Sequence, residues 1–250
     1  MATAVRVSVI GASGRLGNSI TRTADSESEV VIVGRCTRGD AVSSCIAECD
    51  VVIDVSTASA GEEICRVCVE QHKPLVIGTT GHSAGQMRVV EGAGSKIPVV
   101  LAPNFSIGVN TLFWLTRKAA ELLGEGFDVE IIEAHHRLKK DAPSGTAKRL
   151  AELLCTVRGL QYDRDVAHGR EGIGGERPTQ QIGMHAIRAG DIVGEHTVLF
   201  AGAGERLELT HRASSRDTFA VGALRAARWI VGQPPALYSM EHVLGLDHSE

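Results

Sequence analysis

The feature that most constrains the fold is a rhythm in the first hundred residues, where short runs rich in Val, Ile and Leu alternate with segments of helical periodicity. The runs at 5–10, 30–34, 51–55, 75–78 and 99–102 have few polar interruptions. A strand that is apolar on both faces must be covered on both, which is the condition of a parallel sheet between two helical layers. Between the runs, 15–24, 60–71 and 84–91 carry apolar residues at helical spacing. The pattern predicts an α/β protein with a Rossmann-like, doubly wound parallel sheet.

After Asn104 the pattern changes. Residues 110–123 read as an apolar helix, 127–135 as an alternating strand with a polar end, and 146–154 as a helix. The Gly-rich, charged stretch 159–177 reads as a long surface loop, and such loops are commonly functional. Residues 181–188, 196–201 and 205–211 read as three antiparallel strands, and 218–231 as a helix with nothing strand-like after it. The expectation is an inserted α+β domain with a mixed or antiparallel sheet, spanning 107–215, within a dinucleotide-binding domain of 1–106 and 216–250. Two domains connected twice imply a cleft that can close.

Bulk properties exclude several functions. A chain of 250 residues, 43% hydrophobic and 22% charged, can bury a sizeable core. A net charge of −4 offers nucleic acid no general attraction. No apolar stretch approaches the ~20 residues that span a bilayer, and residues 1–6 enter a strand without a charged-then-apolar leader, so a cytoplasmic protein without membrane contact is expected. The six cysteines then read as reduced thiols. Cys45, Cys49, Cys65 and Cys68 are spaced somewhat like zinc ligands, but free cysteine is equally a small buried apolar residue, and no metal is expected.

The first run leads directly into Gly11-Ala12-Ser13-Gly14-Arg15-Leu16-Gly17, a G-x-x-G-x-x-G variant of the dinucleotide fingerprint that opens a helix. Small residues let the backbone approach a pyrophosphate, and helix N–H groups favour its charge. The second run ends in Gly34-Arg35-Cys36-Thr37-Arg38, with no carboxylate before Asp40. Neutral Thr37 beside Arg38 tolerates or attracts a 2′-phosphate, which predicts NADPH as the preferred cofactor, with NADH possible. Gly78-Thr79-Thr80 and Ala102-Pro103-Asn104-Phe105 follow the fourth and fifth runs, at strand ends where open α/β sheets hold ligands.

The stretch from Glu133 to Thr146 leaves a strand, crosses a cationic turn and enters a helix through Ser144-Gly145-Thr146. The N–H groups of Gly145 and Thr146, with hydroxyls of Ser144 or Thr146, can hold a carboxylate at the helix start. His136 and Lys139 add positive charge, which suits a dianionic small molecule. His135 or Lys139 is the natural general acid for a centre that has accepted a hydride. A solvated basic loop is the plainer alternative, and a non-catalytic NADP(H)-binding protein is another.

Glu133 to Thr146 resembles the E-x-H-H-x-x-K-x-D-A-P-S-G-T signature of the 4-hydroxy-tetrahydrodipicolinate (dihydrodipicolinate) reductase family. The likeness spans nearly the whole chain, including the glycine fingerprint, Gly78 to Gly81, Pro103 to Asn110, Arg188 to His196 and Ala213 to Arg216. The resemblance implies a homotetramer, with the second domain serving substrate binding and oligomerisation. It implies NAD(P)H-dependent reduction of the cyclic dicarboxylate to tetrahydrodipicolinate in diaminopimelate and lysine biosynthesis. By position it implies proton transfer at His135 and Lys139, carboxylate binding by His136, Ser144, Gly145 and Thr146, and cofactor contacts at 11–16, 78–80, 102–105 and Arg216. Thr37 stands where family members often carry an acidic residue.

Overall fold

The computed structural model describes residues 3–246, so residues 1–2 and 247–250 of the expected first domain lie outside the described residues. In chain order the elements are β1 (Val5–Ile10), α1 (Arg15–Ala24), β2 (Val30–Cys36), α2 (Val42–Cys45), β3 (Val51–Asp54), α3 (Gly61–Glu70), β4 (Leu75–Ile77), α4 (Ala84–Gly94) and β5 (Pro98–Leu101). Next come α5 (Ile107–Leu123), β6 (Asp128–His135), α6 (Gly145–Arg158), α7 (Tyr162–Asp165), β7 (Val166–His168), β8 (Ile182–Arg188), β9 (Gly194–Ala201) and β10 (Arg206–Ala213). The chain ends in α8 (Asp217–Ile230), β11 (Ala236–Tyr238) and α9 (Met240–Leu244). It divides into two compact units, Met1–Ile107 with Arg216–Glu250, and Gly108–Ser215.

The first unit is a six-stranded parallel sheet in the order β11-β5-β4-β3-β1-β2. All four residues of β3 are buried, as a strand covered on both faces requires. On one face Ala220, Ala223, Leu224 and Ala227 of α8 join Ile20 of α1 against Val7, Ile53 and Val100. On the other, Ile64 and Cys68 of α3 and Val90 of α4 pack with Leu75 and Val99. Small residues on α8 permit a close approach: a methyl at Gly222 would stand 1.8 Å from the Phe105 carbonyl oxygen. The expected doubly wound fold is the one observed.

Three readings of the sequence need correction. A strand does follow α8: β11 extends the sheet by pairing parallel with β5. Its three residues are too few for a pattern, and they are held by tertiary contacts such as the edge-on packing of Tyr238 on Trp229, 5.0 Å between ring centres. Residues 159–177 are not one open loop, because they contain α7 and β7, and Arg170 and Arg177 both bind the Glu130 carboxylate on β6. Finally, β8 is not antiparallel to its neighbours.

The second unit's sheet has the order β10-β9-β6-β8-β7. β8 runs parallel to β6 and β7, whereas β9 is antiparallel to β6 and β10. Consecutive strands suggest a hairpin, but β6 lies between β8 and β9 and takes both as partners. Helix α6 covers one face, placing Ala147, Leu150 and Leu154 on Val129, Ile131, Ile182, Met184, Val198 and Phe200.

Candidate functional site

In the first unit the candidate residues gather at the carboxyl ends of the strands. Gly11 has φ +83, and a methyl there would stand 2.7 Å from the Val55 carbonyl oxygen. One at Gly17 would stand 2.3 Å from the Gly11 carbonyl oxygen, so both positions require glycine. Gly14 caps α1 without any side-chain acceptor, which leaves the first-turn N–H groups to whatever lies ahead of the helix. Ser13, Gly14, Thr37 and Arg38 line one cavity of about 380 Å³ with Gly11. Ala12 is buried beneath this turn, Arg15 is exposed, and Leu16 packs on the core, so Ala12 and Leu16 shape the loop through packing.

A second cavity, of about 260 Å³, is lined by Thr79, Thr80, Gly81, His82 and Pro103. Gly78 stands beside them because a methyl there would meet the Phe105 ring at 2.5 Å. Ala102 and Phe105 are buried, and Asn104 Oδ1 accepts the Ser106 N–H. Thr79 donates its hydroxyl to buried Asp54, whose other oxygen accepts from Ser56 N–H and hydroxyl. Burial raises the Asp54 pKa, and these hydrogen bonds pull it back only in part. The sequence reading missed Asp54, although a carboxyl ending an otherwise apolar strand was the available signal. A groove of about 550 Å³ between α3 and α4 is larger than either cavity, but it is lined by helix side chains and includes no strand end.

The glycine turn, open helix start and strand-end cavities fit a dinucleotide pyrophosphate. In the cavity beside Gly11, exposed Arg38 supplies a cation, and Asp40 accepts both the Thr37 N–H and hydroxyl at 2.8 Å. Those two bonds hold the Asp40 carboxyl below the usual carboxylate range. Arg216 caps α8, exposed. Cys45, Cys49, Cys65 and Cys68 do not converge: among the described residues, the one gathering of three or more ligand-type atoms is Cys36, Asp40 and Cys45.

In the second unit, alternation along β6 builds the site. Val129, Ile131, Glu133 and His135 share the face that α6 covers, so its apolar stripe ends in a carboxylate and an imidazole. His196 extends the buried face of β9 and Arg188 ends β8, so three strands deliver polar groups to one end of the core. The Glu133 side chain is fully buried. Its Oε2 is 2.6 Å from His135 Nδ1 and accepts Arg188 Nη1 at 2.8 Å. Its Oε1 accepts Arg188 Nη2 at 2.7 Å and the Ser144 N–H at 3.0 Å.

Ser144 caps α6, accepting the Ala147 N–H on its hydroxyl, which also lies 2.9 Å from His196 Nε2. Beside it Gly145 is exposed, with open space where a side chain would stand, and Thr146 is half-buried. His136 and Lys139 sit in the turn, and the Lys139 ammonium contacts Asp141 at 2.8 Å. Arg188 also donates to the Asp141 carbonyl, tying this turn to β8.

The charges are strongly conditioned. Burial raises the Glu133 pKa, but hydrogen bonds from Arg188, His135 and Ser144 outweigh it and leave the group below its usual range. Burial lowers His135, against the pull of Glu133. Burial also drives His196 down to about 4. The arrangement therefore offers an anion-receptive helix start beside an imidazole hydrogen-bonded to a buried carboxylate. The sequence reading singled out His135, His136, Lys139, Ser144, Gly145 and Thr146 but gave no role to Glu133, Arg188 or His196.

Two family models match the chain: dihydrodipicolinate reductase, N-terminus, over residues 5–105, and dihydrodipicolinate reductase, C-terminus, over residues 108–244. The chain is 49% identical to a 4-hydroxy-tetrahydrodipicolinate reductase of Akkermansia muciniphila, covering 97% of this chain and 98% of that one. It is 47% identical to one of Syntrophobacter fumaroxidans, over 97% and 99% respectively. Among solved structures, a dipicolinate-bound dihydrodipicolinate reductase from Paenisporosarcina sp. TG-14 shares the fold, with a TM-score of 0.80 at 24% identity over 96% of this chain and 99% of that one.

Proposed function

The chain belongs to the dihydrodipicolinate reductase family, and from that premise we propose that it is the NAD(P)H-dependent oxidoreductase that reduces 4-hydroxy-tetrahydrodipicolinate to tetrahydrodipicolinate in diaminopimelate and lysine biosynthesis. The observation that supports this reading is that Glu133 binds both His135 Nδ1 and the Ser144 N–H, which sets an imidazole near the start of α6.

In this reading the first unit binds the nucleotide. Gly11, Ala12, Ser13, Gly14, Arg15 and Leu16 form the pyrophosphate turn, and Gly78, Thr79, Thr80, Ala102, Pro103, Asn104 and Phe105 line the strand ends toward the nicotinamide, with Arg216 beside it. NAD(P)H supplies a hydride. Thr37 and Arg38 favour a 2′-phosphate, making NADPH the preferred donor, while the proximity of anionic Asp40 is compatible with NADH use as well.

The second unit binds the dicarboxylate. Gly145 and Thr146 offer N–H groups to one carboxylate, Ser144 holds the helix start in shape, and His136 and Lys139 bring positive charge. The 4-hydroxyl leaves as water to give an unsaturated imine, and hydride addition to that imine leaves an enamine carbon that needs a proton. His135 or Lys139 delivers it, and water restores the donor afterwards. Lys139 must part from Asp141 to serve either role.

The proposed working form is a homotetramer in the cytoplasm. The tetramer rests on the family resemblance, and six free thiols suit a reducing compartment. Sedimentation at micromolar concentration tests the assembly. The activity is tested by following NADPH oxidation on addition of 4-hydroxy-tetrahydrodipicolinate and, separately, of a cyclic imine with a single carboxylate. Turnover restricted to the dicarboxylate supports the reading, and equal use of both refutes it.

A further inference from the structure

We infer that Glu133 is a positioning residue for the proton donor: it holds His135 with its proton on Nδ1, so that Nε2 is the atom that gives up the transferred proton, and Arg188 keeps Glu133 ionised and in place. This rests on the reading of His135 as proton donor.

A buried carboxylate with no partners is costly, and Arg188 alone could supply two hydrogen bonds and the countercharge. Glu133 has more than that. Each oxygen takes two partners, and the shortest contact of the four, 2.6 Å, goes to His135 Nδ1. An ionised carboxylate only accepts hydrogen bonds, so the proton in this contact belongs to Nδ1. The other ring nitrogen faces residue 194, where a methyl would stand 3.1 Å from Nε2, and the chain carries glycine. Nε2 is therefore the nitrogen left for the reaction.

Charge reinforces the geometry. The groups facing His135 are Glu133 on its own strand, Arg188 from β8, His196 from β9 with ring centres 5.2 Å apart, and Lys139 from the turn. Of these only Glu133 is anionic, and burial, Lys139 and Arg188 all disfavour a protonated imidazole. The transferred proton leaves Nε2 for the enamine carbon, Nδ1 keeps its own, and Glu133 stays ionised throughout. A neutral residue at 133 would leave the cations unopposed and let the ring adopt the other tautomer.

Glu133→Gln keeps the shape and removes the charge. Its kcat should fall about 10–100-fold, by analogy with loss of the outer hydrogen-bond partner of a metal-bound imidazole, with KM for the dicarboxylate and for NADPH within about threefold. The limb on which kcat declines with rising pH should move to lower pH, which a merely structural role for Glu133 would not produce. Wild-type kcat and an unmoved limb in Glu133→Gln, beside a crippled His135→Gln, overturn the inference alone. Wild-type turnover in His135→Gln removes the proton-donor reading and this inference with it. A measurement on the wild-type protein needs no variant to fold: ¹⁵N spectra of labelled histidine should show neutral His135 protonated at Nδ1, and protonation at Nε2 overturns the inference.

Discussion

The two units build their candidate sites from different materials. The first makes its cradle from backbone, where positive φ at Gly11, an uncapped helix at Gly14 and a crowded Gly17 leave room and N–H groups for an anion. The second makes its reacting centre from side chains of β6 and β8 and the N–H of the residue that caps α6, converging on one buried carboxylate. A backbone site is specified by residues close together in sequence and is damaged by adding atoms. A side-chain site is specified across 55 residues, the separation of Glu133 from Arg188, and is damaged by removing charge.

The contrast predicts separable failures. The largest concerns Lys139→Ala, whose kcat should drop about 10²–10⁴-fold, the span for loss of a general acid, while NADPH binding measured by fluorescence titration stays near wild type. A matching loss of nucleotide affinity would break the separation.

Next comes acid stability, to which the buried imidazoles of the side-chain site contribute. His196 is 4% exposed, with its pKa lowered from 6.5 to about 4 by burial first and by nearby His135 second. The folded state resists its protonation, so this stability is complete above pH 6.5 and is lost as pH falls toward 4. The full difference is worth about 3 kcal/mol, and His135, also lowered, acts in the same direction. Urea midpoints of the wild type should therefore fall between pH 7 and pH 4.5, and His196→Gln should flatten that decline. An equally steep decline in the variant would assign the sensitivity elsewhere.

The backbone cradle responds to bulk. Gly17→Ala puts a methyl against the Gly11 carbonyl, and overpacking of about 1–3 kcal/mol weakens NADPH binding about 10–100-fold if expressed at the turn. Unchanged affinity would show that the turn can shift at little cost. The smallest effect is expected from exposed Arg38: Arg38→Ala should raise KM for NADPH about 3–10-fold and leave KM for NADH unaltered, and parallel changes in both would dissociate Arg38 from the 2′-phosphate.

The same contrast explains what was legible in the sequence. The sheet of the first unit could be read because runs such as 99–102 are apolar throughout, and the glycine turn because its residues are adjacent. β11 could not, since three residues carry no period and their pairing with β5 is tertiary. The parallel direction of β8 was hidden because β6, far earlier in the chain, separates it from β9. In the second site, His135 and Ser144 stood out by residue type and by their places at a strand end and a helix start. Glu133 shares the period-2 face of Val129 and Ile131, so its burial was readable in principle. Arg188 and His196 were not, because their roles depend on strand order.

The most direct test of the division between cradle and reacting centre is to measure kcat and the NADPH dissociation constant on one preparation of His135→Gln. The account predicts kcat lowered by about 10²–10⁴-fold with the dissociation constant within about twofold of wild type. Wild-type kcat, or a loss of NADPH affinity as large as the loss of turnover, would contradict it.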